Sequence, residues 1–409
     1  MIRMLHFADV HLGVETYGRF DSQAGNSRVR DFLQRLDEMI RFALANDVDV
    51  AVFAGDAFKN RQPNPTLQRE FAYRIRELAD RCPVIMIAGN HDLPNLVERA
   101  HSLEIYQTLA VPNVLVVGSE YQVYPVQTKS GGLLVGTAPY PVRGSLLNFE
   151  EAQGKSMAQI DLMLQDHLRL LLRDMVRIVE EAPEPRVLMG HFTVQGAEFG
   201  TERNVMVGRD AILSLGDVAD PAWDYVALGH IHKHQNLTAT MKGYPPVIYS
   251  GSLERVDFGE EADDKGFCWV ELERGATQWR FVKVGARPFV TLRVDVRGDP
   301  DPMARLASAI TERGVQDAIV RLILVADLES DAKLREAAIL DMLRDAGAFY
   351  VAGVQREVER PTRSRLGANV EGMTSRDLLK QYLRTKKAEA DHIEEILDRA
   401  TPILDDDGS

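Results

Sequence analysis

Cysteine is scarce. The 409 residues hold two, Cys82 and Cys268, too few and too far apart in sequence for a disulfide-stapled fold. Both lie beside apolar strands and are expected to be reduced core thiols. No apolar run approaches the length of a membrane span, so a spanning helix is excluded. The first residues enter an apolar strand at once, so no secretory leader is expected and the cytoplasm is the expected location. Positive charge is also short, with 48 Lys and Arg against 61 Asp and Glu and a net charge of −13. An overall basic surface for nucleic acid is thereby excluded, which leaves local basic patches and bound cations as the routes to phosphate. The length exceeds what one hydrophobic core usually supports, and two or three domains are expected.

What the chain does have is a series of short polar motifs. Five of the ten histidines sit in it. The order is Asp9-Val10-His11, Gly55-Asp56, Gly89-Asn90-His91-Asp92, Gly190-His191 and Gly229-His230-Ile231-His232. Each follows a short apolar run (residues 4–8, 48–54, 84–88, 187–189 and 225–228) that reads as a strand buried on both faces. Helical spacing over 28–46 and 66–80 separates the early strands, which implies an α/β sheet with parallel or mixed strands. Functional residues collect where such strands end, so the five motifs are expected to converge.

The residue types suit metal binding. Asp9 and His11 are two apart and face the same side of an extended chain, and His230 and His232 repeat the spacing. Asp56, the sole acid of its motif, suits a carboxylate that bridges two cations. Asn90 offers a neutral oxygen. Mixed imidazole and carboxylate donors favour manganese, iron or zinc over calcium or magnesium. Any one motif is an ordinary loop by itself, but five in order at strand ends predict a centre for two divalent ions.

The motif series resembles the calcineurin-like metallophosphoesterase superfamily over about residues 1–285. Phe7-Ala8-Asp9-Val10-His11-Leu12-Gly13, Gly251-Ser252-Leu253-Glu254-Arg255, Phe258-Gly259-Glu260 and Lys265-Gly266-Phe267 narrow the resemblance to the nuclease subunits of the SbcC–SbcD type. The resemblance implies a metallophosphoesterase β-sandwich flanked by helices, a small α+β capping domain and C-terminal partner-binding helices. It places Asp9, His11, Asp56 and His232 on one metal, and Asp56, Asn90, His191 and His230 on a second, with Mn2+ expected. His91 would act on the scissile phosphate or the leaving oxygen. Some members carry a second catalytic histidine three residues after the bridging aspartate. Here that position is Lys59, which can neutralise a phosphate but cannot serve as a neutral-pH acid in the same way. Lys59, Arg61, Arg99 and Arg143 are the expected local basic surface for DNA, with the first three taken as substrate-binding.

The resemblance further implies double-strand exonuclease and single-strand endonuclease activity in DNA repair and recombination. It also implies an SMC-like ATPase partner and a homodimer, for which apolar residues on helical stretches at 66–80 and 96–110 (Leu67, Phe71, Leu103, Ile105, Tyr106 and Leu109) are the expected surface. Gly154-Lys155-Ser156 lacks the earlier glycine and strand of a P-loop and begins a helical stretch from about 148 to 182, so ATP use falls to the partner. The metal motifs stop near 285. Strands at 289–296, 319–325 and 350–357 with helices at 302–313 and 331–345 then form the capping domain, 286–360. Residues 361–409 hold a polar linker, two amphipathic helices and an acidic tail. Thr374 and Asp377 make an N-capping pattern, and apolar stripes follow at Leu378, Leu379, Tyr382 and Leu383 and at Ile393, Ile396 and Leu397. These helices are the expected ATPase-docking element. Two rivals remain: a small-molecule phosphodiesterase or phosphatase on the same scaffold, and a scaffold without catalysis.

Overall fold

The computed structural model describes residues 1–409 except 24, 95–99, 143–145, 147–152, 201–210, 360–372, 387–388 and 405–409. By compactness the described chain divides into two units, 1–293 with 306–323 and 335–355, and 294–305 with 324–334 and 356–409.

The first unit is built on two six-stranded sheets. One runs in the order Gln278–Lys283, Gly266–Leu272, Ile2–Phe7, Val50–Phe53, Val84–Ile87, Val114–Val117. The other runs Gln235–Asn236, Val247–Tyr249, Tyr225–Gly229, Arg186–His191, Gly131–Ala138, Gln122–Thr128. Within each sheet four neighbouring strands are parallel, and antiparallel strands close one edge of the first sheet and both edges of the second. Both faces of Ile2–Phe7 are covered, and the alternation of its side chains shows how. Leu5 and Phe7 pack with Phe32, Leu36, Met39 and Ile40 of the helix Ser27–Ala45 and with Phe71, Ile75 and Leu78 of the helix Pro65–Ala79. Ile2 and Met4 pack with Val187, Met189, Tyr225 and Ala227 of the other sheet. The outer face of that second sheet is covered by Leu164, Leu168, Leu172, Met175 and Val179 of the helix Met157–Val179. The order is therefore helices, sheet, sheet, helix, a β-sandwich flanked by helices. Cys82 and Cys268 are both free and buried.

Three helical expectations need correction. The long helix begins at Met157, where Ser156 and Gln159 form a capping box. Gly154 just before it is left-handed, at φ 75°, which a helix cannot contain. Of the stretch 96–110, only Glu104–Thr108 is helical among the described residues. The stretch 331–345 is two helices, Leu328–Lys333 and Glu336–Asp345, parted where the buried Leu334 turns extended.

A three-stranded sheet runs in the order Phe289–Asp295, Ile319–Asp327, Tyr350–Glu359. Within the first unit, Phe289 and Ile319 pack with Phe258, with Tyr17 and Tyr350 alongside. Within the second unit, the helices Ser375–Thr385 and Ala390–Leu404 form a hairpin. The expected Thr374–Asp377 capping box is present. Lys380 pairs with Glu394 at 2.6 Å and Arg376 with Asp398 at 3.2 Å. The expected linker and acidic tail lie almost wholly outside the described residues.

Candidate metal centre

The parallel strands of both sheets end at one edge, and the polar motifs start there. Four of the motif residues take a left-handed backbone: Asp9 (φ 52°), His11 (46°), Asp56 (62°) and His230 (94°). Each such residue costs about 1–2 kcal/mol, so the surrounding packing holds the chain in these turns. Asp and His tolerate this region better than most residues. Gly229 meets a different demand. A Cβ there would lie 2.7 Å from Ala8 Cβ and collide with the Ala54 carbonyl, so only glycine lets the sheets approach this closely at the site. Two hydrogen bonds then tie the strand ends together. His230 N donates to Asp9 Oδ1 at 2.9 Å, and His191 Nδ1 lies 2.6 Å from Ala54 O.

The side chains converge as the motifs led us to expect. Ligand atoms of Asp9, His11 and His232 lie within 4.8 Å of one another, as do those of Asp9, Asp56 and His191, and those of His11, Asp56 and His91. Asp56 sits between two histidines, with Oδ2 3.6 Å from His11 Nε2 and 3.5 Å from His191 Nε2. Asn90 Oδ1 lies 3.1 Å from His191 Nε2 and 3.0 Å from His230 Nδ1. His11 Nε2 and His232 Nε2 face each other at 2.8 Å. Two lone pairs repel at that distance, so only a shared proton or a cation can hold them.

The electrostatics test the fit to a cation. Burial, with His232 adding to it, pushes His11 well below its usual value, which keeps an imidazole lone pair available. Burial also lowers His191, but the Asp56 carboxylate outweighs it and brings His191 up to about 9. Asp56 itself is held well below the carboxylate range, because the imidazoles, His191 first, overcome its burial. Burial pushes Asp9 up. The centre thus attracts positive charge and offers oxygen and nitrogen donors, as divalent ions of the manganese, iron and zinc type require.

Three supporting residues, Asp92, Glu260 and Lys265, stand in the motifs but have no role assigned by their spacing. Asp92 is fully buried and accepts from the backbone N–H of Asp56, Ala57 and Gly89 at 2.9–3.0 Å. It pins together the two loops that carry Asp56 and Asn90. Burial, then the Asp56 charge, pushes Asp92 up to about 7 against the pull of these amides. Glu260 Oε1 lies 2.7 Å from His232 Nδ1, and its other oxygen pairs with the buried Lys265 at 2.8 Å. This carboxylate fixes which nitrogen of His232 faces the centre. Despite burial, Lys265 and His232 hold Glu260 below its ordinary range. His11 has no such support, as its Nδ1 is buried without a partner among the described residues.

His91 differs from the other histidines. It is half-buried, its N–H donates to Asp56 Oδ1 at 2.8 Å, and its Nδ1 is 2.8 Å from the Lys59 carbonyl. Nε2 is left to face the centre. Lys59 thus supports His91 through its backbone, which no side-chain reading of the sequence foresaw. Arg61 is exposed on the same segment. Arg99 and Arg143 lie outside the described residues.

The calcineurin-like phosphoesterase family matches residues 2–234. The SbcD subunit of the nuclease SbcCD from Escherichia coli K12 is 28% identical over 285 residues, 67% of this chain and 66% of that protein. The proteins of the same name from Bacillus subtilis and Rhodobacter capsulatus are each 27% identical. The first match covers 82% of this chain and 83% of that protein, and the second 90% of each. This chain therefore spans just under two thirds of the Escherichia coli relative and most of the other two.

Proposed function

The chain belongs to the calcineurin-like phosphoesterase family, and from that premise we propose that it is a two-metal DNA nuclease working with an SMC-like ATPase. The cluster of buried Asp and His donors around Asp56 carries the reading. The relatives are named as nuclease subunits, and their names supply the substrate class.

In this reading Asp9, His11, Asp56 and His232 hold one divalent ion, and Asp56, Asn90, His191 and His230 hold the other, with manganese the expected metal. Bound there, the pair supplies an activated water and neutralises charge on the phosphate. The protein's own part is positional. Asp9 orients the His230 loop through its backbone N–H. Glu260 fixes the His232 tautomer. Asp92 holds the Asp56 and Asn90 loops at one spacing. With Nδ1 held at the Lys59 carbonyl, His91 can deliver a proton from Nε2 to the leaving oxygen. Lys59, Arg61 and Arg99 attract the DNA backbone.

The expected result is manganese-dependent cleavage of single-stranded and linear duplex DNA, lost on chelation and restored by the ion. Turnover of a small diester such as bis(p-nitrophenyl) phosphate without DNA cleavage would favour the small-molecule phosphodiesterase. Turnover of neither would favour the scaffold.

The domain division proposed with this function is a nuclease domain over 1–285, a capping domain over 286–360 and partner-binding helices over 361–409. In the hairpin Ile393 and Leu397 are buried, while Leu378, Leu379 and Leu383 are half-covered and Tyr382 is 37% exposed. The partly covered face of the first helix is the proposed ATPase contact. For self-association, Phe71, Leu103 and Tyr106 belong to the core and Leu67 packs against it. The exposed Tyr73, Ile105 and Leu109 are what remains for a homodimer. Sedimentation tests both surfaces. Deleting 374–404 is expected to abolish co-sedimentation with the ATPase while the chain still sediments as a dimer. Unchanged co-sedimentation would move the ATPase contact elsewhere, and a monomer at micromolar concentration would remove the dimer.

A further inference from the structure

Within the first unit, a slot of about 220 Å3 is lined by Tyr17, Phe258, Arg321 and residues 352–355. The Tyr17 and Phe258 rings meet edge to face at 5.5 Å. The Arg321 guanidinium lies 4.4 Å from the centre of the Phe258 ring. Its Nη2 donates to Thr291 Oγ1 at 2.9 Å, and its Nε is buried without a hydrogen-bond partner. No carboxylate pairs with it among the described residues. Glu261, in the turn beside Phe258, is instead taken up by Thr291 N and Arg313. A half-buried cation held by a hydroxyl and a ring calls for an anion. Tyr17 has a left-handed backbone, at φ 65°, a strain that bulky residues keep where packing or a ligand demands it. Gly353 leaves open space above the last strand of the small sheet.

The slot is wired to the centre by sequence. Phe258 and Glu260 share one helical turn, and Glu260 holds His232. Tyr17 follows His11 by six residues. We propose that this slot holds one unpaired nucleotide of the DNA strand led to the metal centre, its phosphate against Arg321 and its base against Tyr17. The inference rests on the nuclease reading and names a contact that this reading does not contain. The chemistry selects the occupant. A guanidinium with no carboxylate partner beside the half-buried Tyr17 ring suits a phosphate joined to a flat base. A base paired within a duplex keeps its faces stacked on its neighbours, so the base that meets Tyr17 is an unpaired one.

Arg321→Gln and Tyr17→Leu in the full-length protein test this, with thermal midpoints checked first. Steady-state cleavage of a single-stranded oligonucleotide with manganese is expected to show KM raised roughly 5- to 100-fold with kcat nearly unchanged. The log–log salt slope of binding should fall by about one for Arg321→Gln and be largely restored by Arg321→Lys. Hydrolysis of bis(p-nitrophenyl) phosphate, too small to span slot and centre, should not change. If oligonucleotide KM stays at the wild-type value, the slot is not a nucleotide site, whatever the nuclease does. A fall in both substrates together means that Arg321 and Tyr17 support the fold or the centre, which also overturns the proposal. A wild-type protein that hydrolyses the small diester and leaves DNA intact would sink the nuclease reading itself, and the slot proposal with it.

Discussion

Asp56→Asn is expected to lower phosphodiester hydrolysis by about a thousandfold or more, the loss of several kcal/mol of metal-borne stabilisation. Asparagine keeps the shape of the side chain and removes its charge. That charge overcomes burial to raise His191 and lies within 3.6 Å of both His11 and His191. Metal analysis by mass spectrometry should show fewer than two ions per chain after dialysis. Two retained ions with full activity would show that Asp56 is not shared between the sites.

His91→Ala is expected to lower kcat about 100- to 10,000-fold while both ions stay bound. The reason lies in how His91 is attached. Its contact with Asp56 runs through the backbone N–H, which alanine keeps, and its ring is anchored on a carbonyl outside the cluster. The ring nevertheless lies close enough to His11 and Asp56 to complete a ligand set. Loss of an ion from the alanine variant would therefore make His91 a ligand and leave the leaving-group acid to be found elsewhere.

The two variants probe different kinds of legibility. Asp56 could be singled out in the sequence because it is the one acid of a motif at a strand end, and strand and turn are local properties. The anchoring of the His91 ring depends on the Lys59 carbonyl, 32 residues away, which no spacing rule reaches. Asp92 and Glu260 stand in recognisable motifs, yet their work became visible only with the loops and the His232 ring placed against them. Apolar positions show the same limit. Phe71 and Ile105 look alike in sequence, but one is core and the other is exposed, because a short helix does not declare which side faces the sheet.

Residue spacing and strand patterning by themselves determined the donor types, their order along the chain and their position at the ends of buried strands, since period-two alternation and glycine turns are set by backbone sterics. The facing of the two sheets was decided only by tertiary structure. His11 and His232 are 221 residues apart and meet at 2.8 Å because Ile2, Met4, Val187 and Tyr225 bury one sheet against the other. Apolar burial is non-directional, so the sequence could call for such a core without saying which strand ends it would bring together.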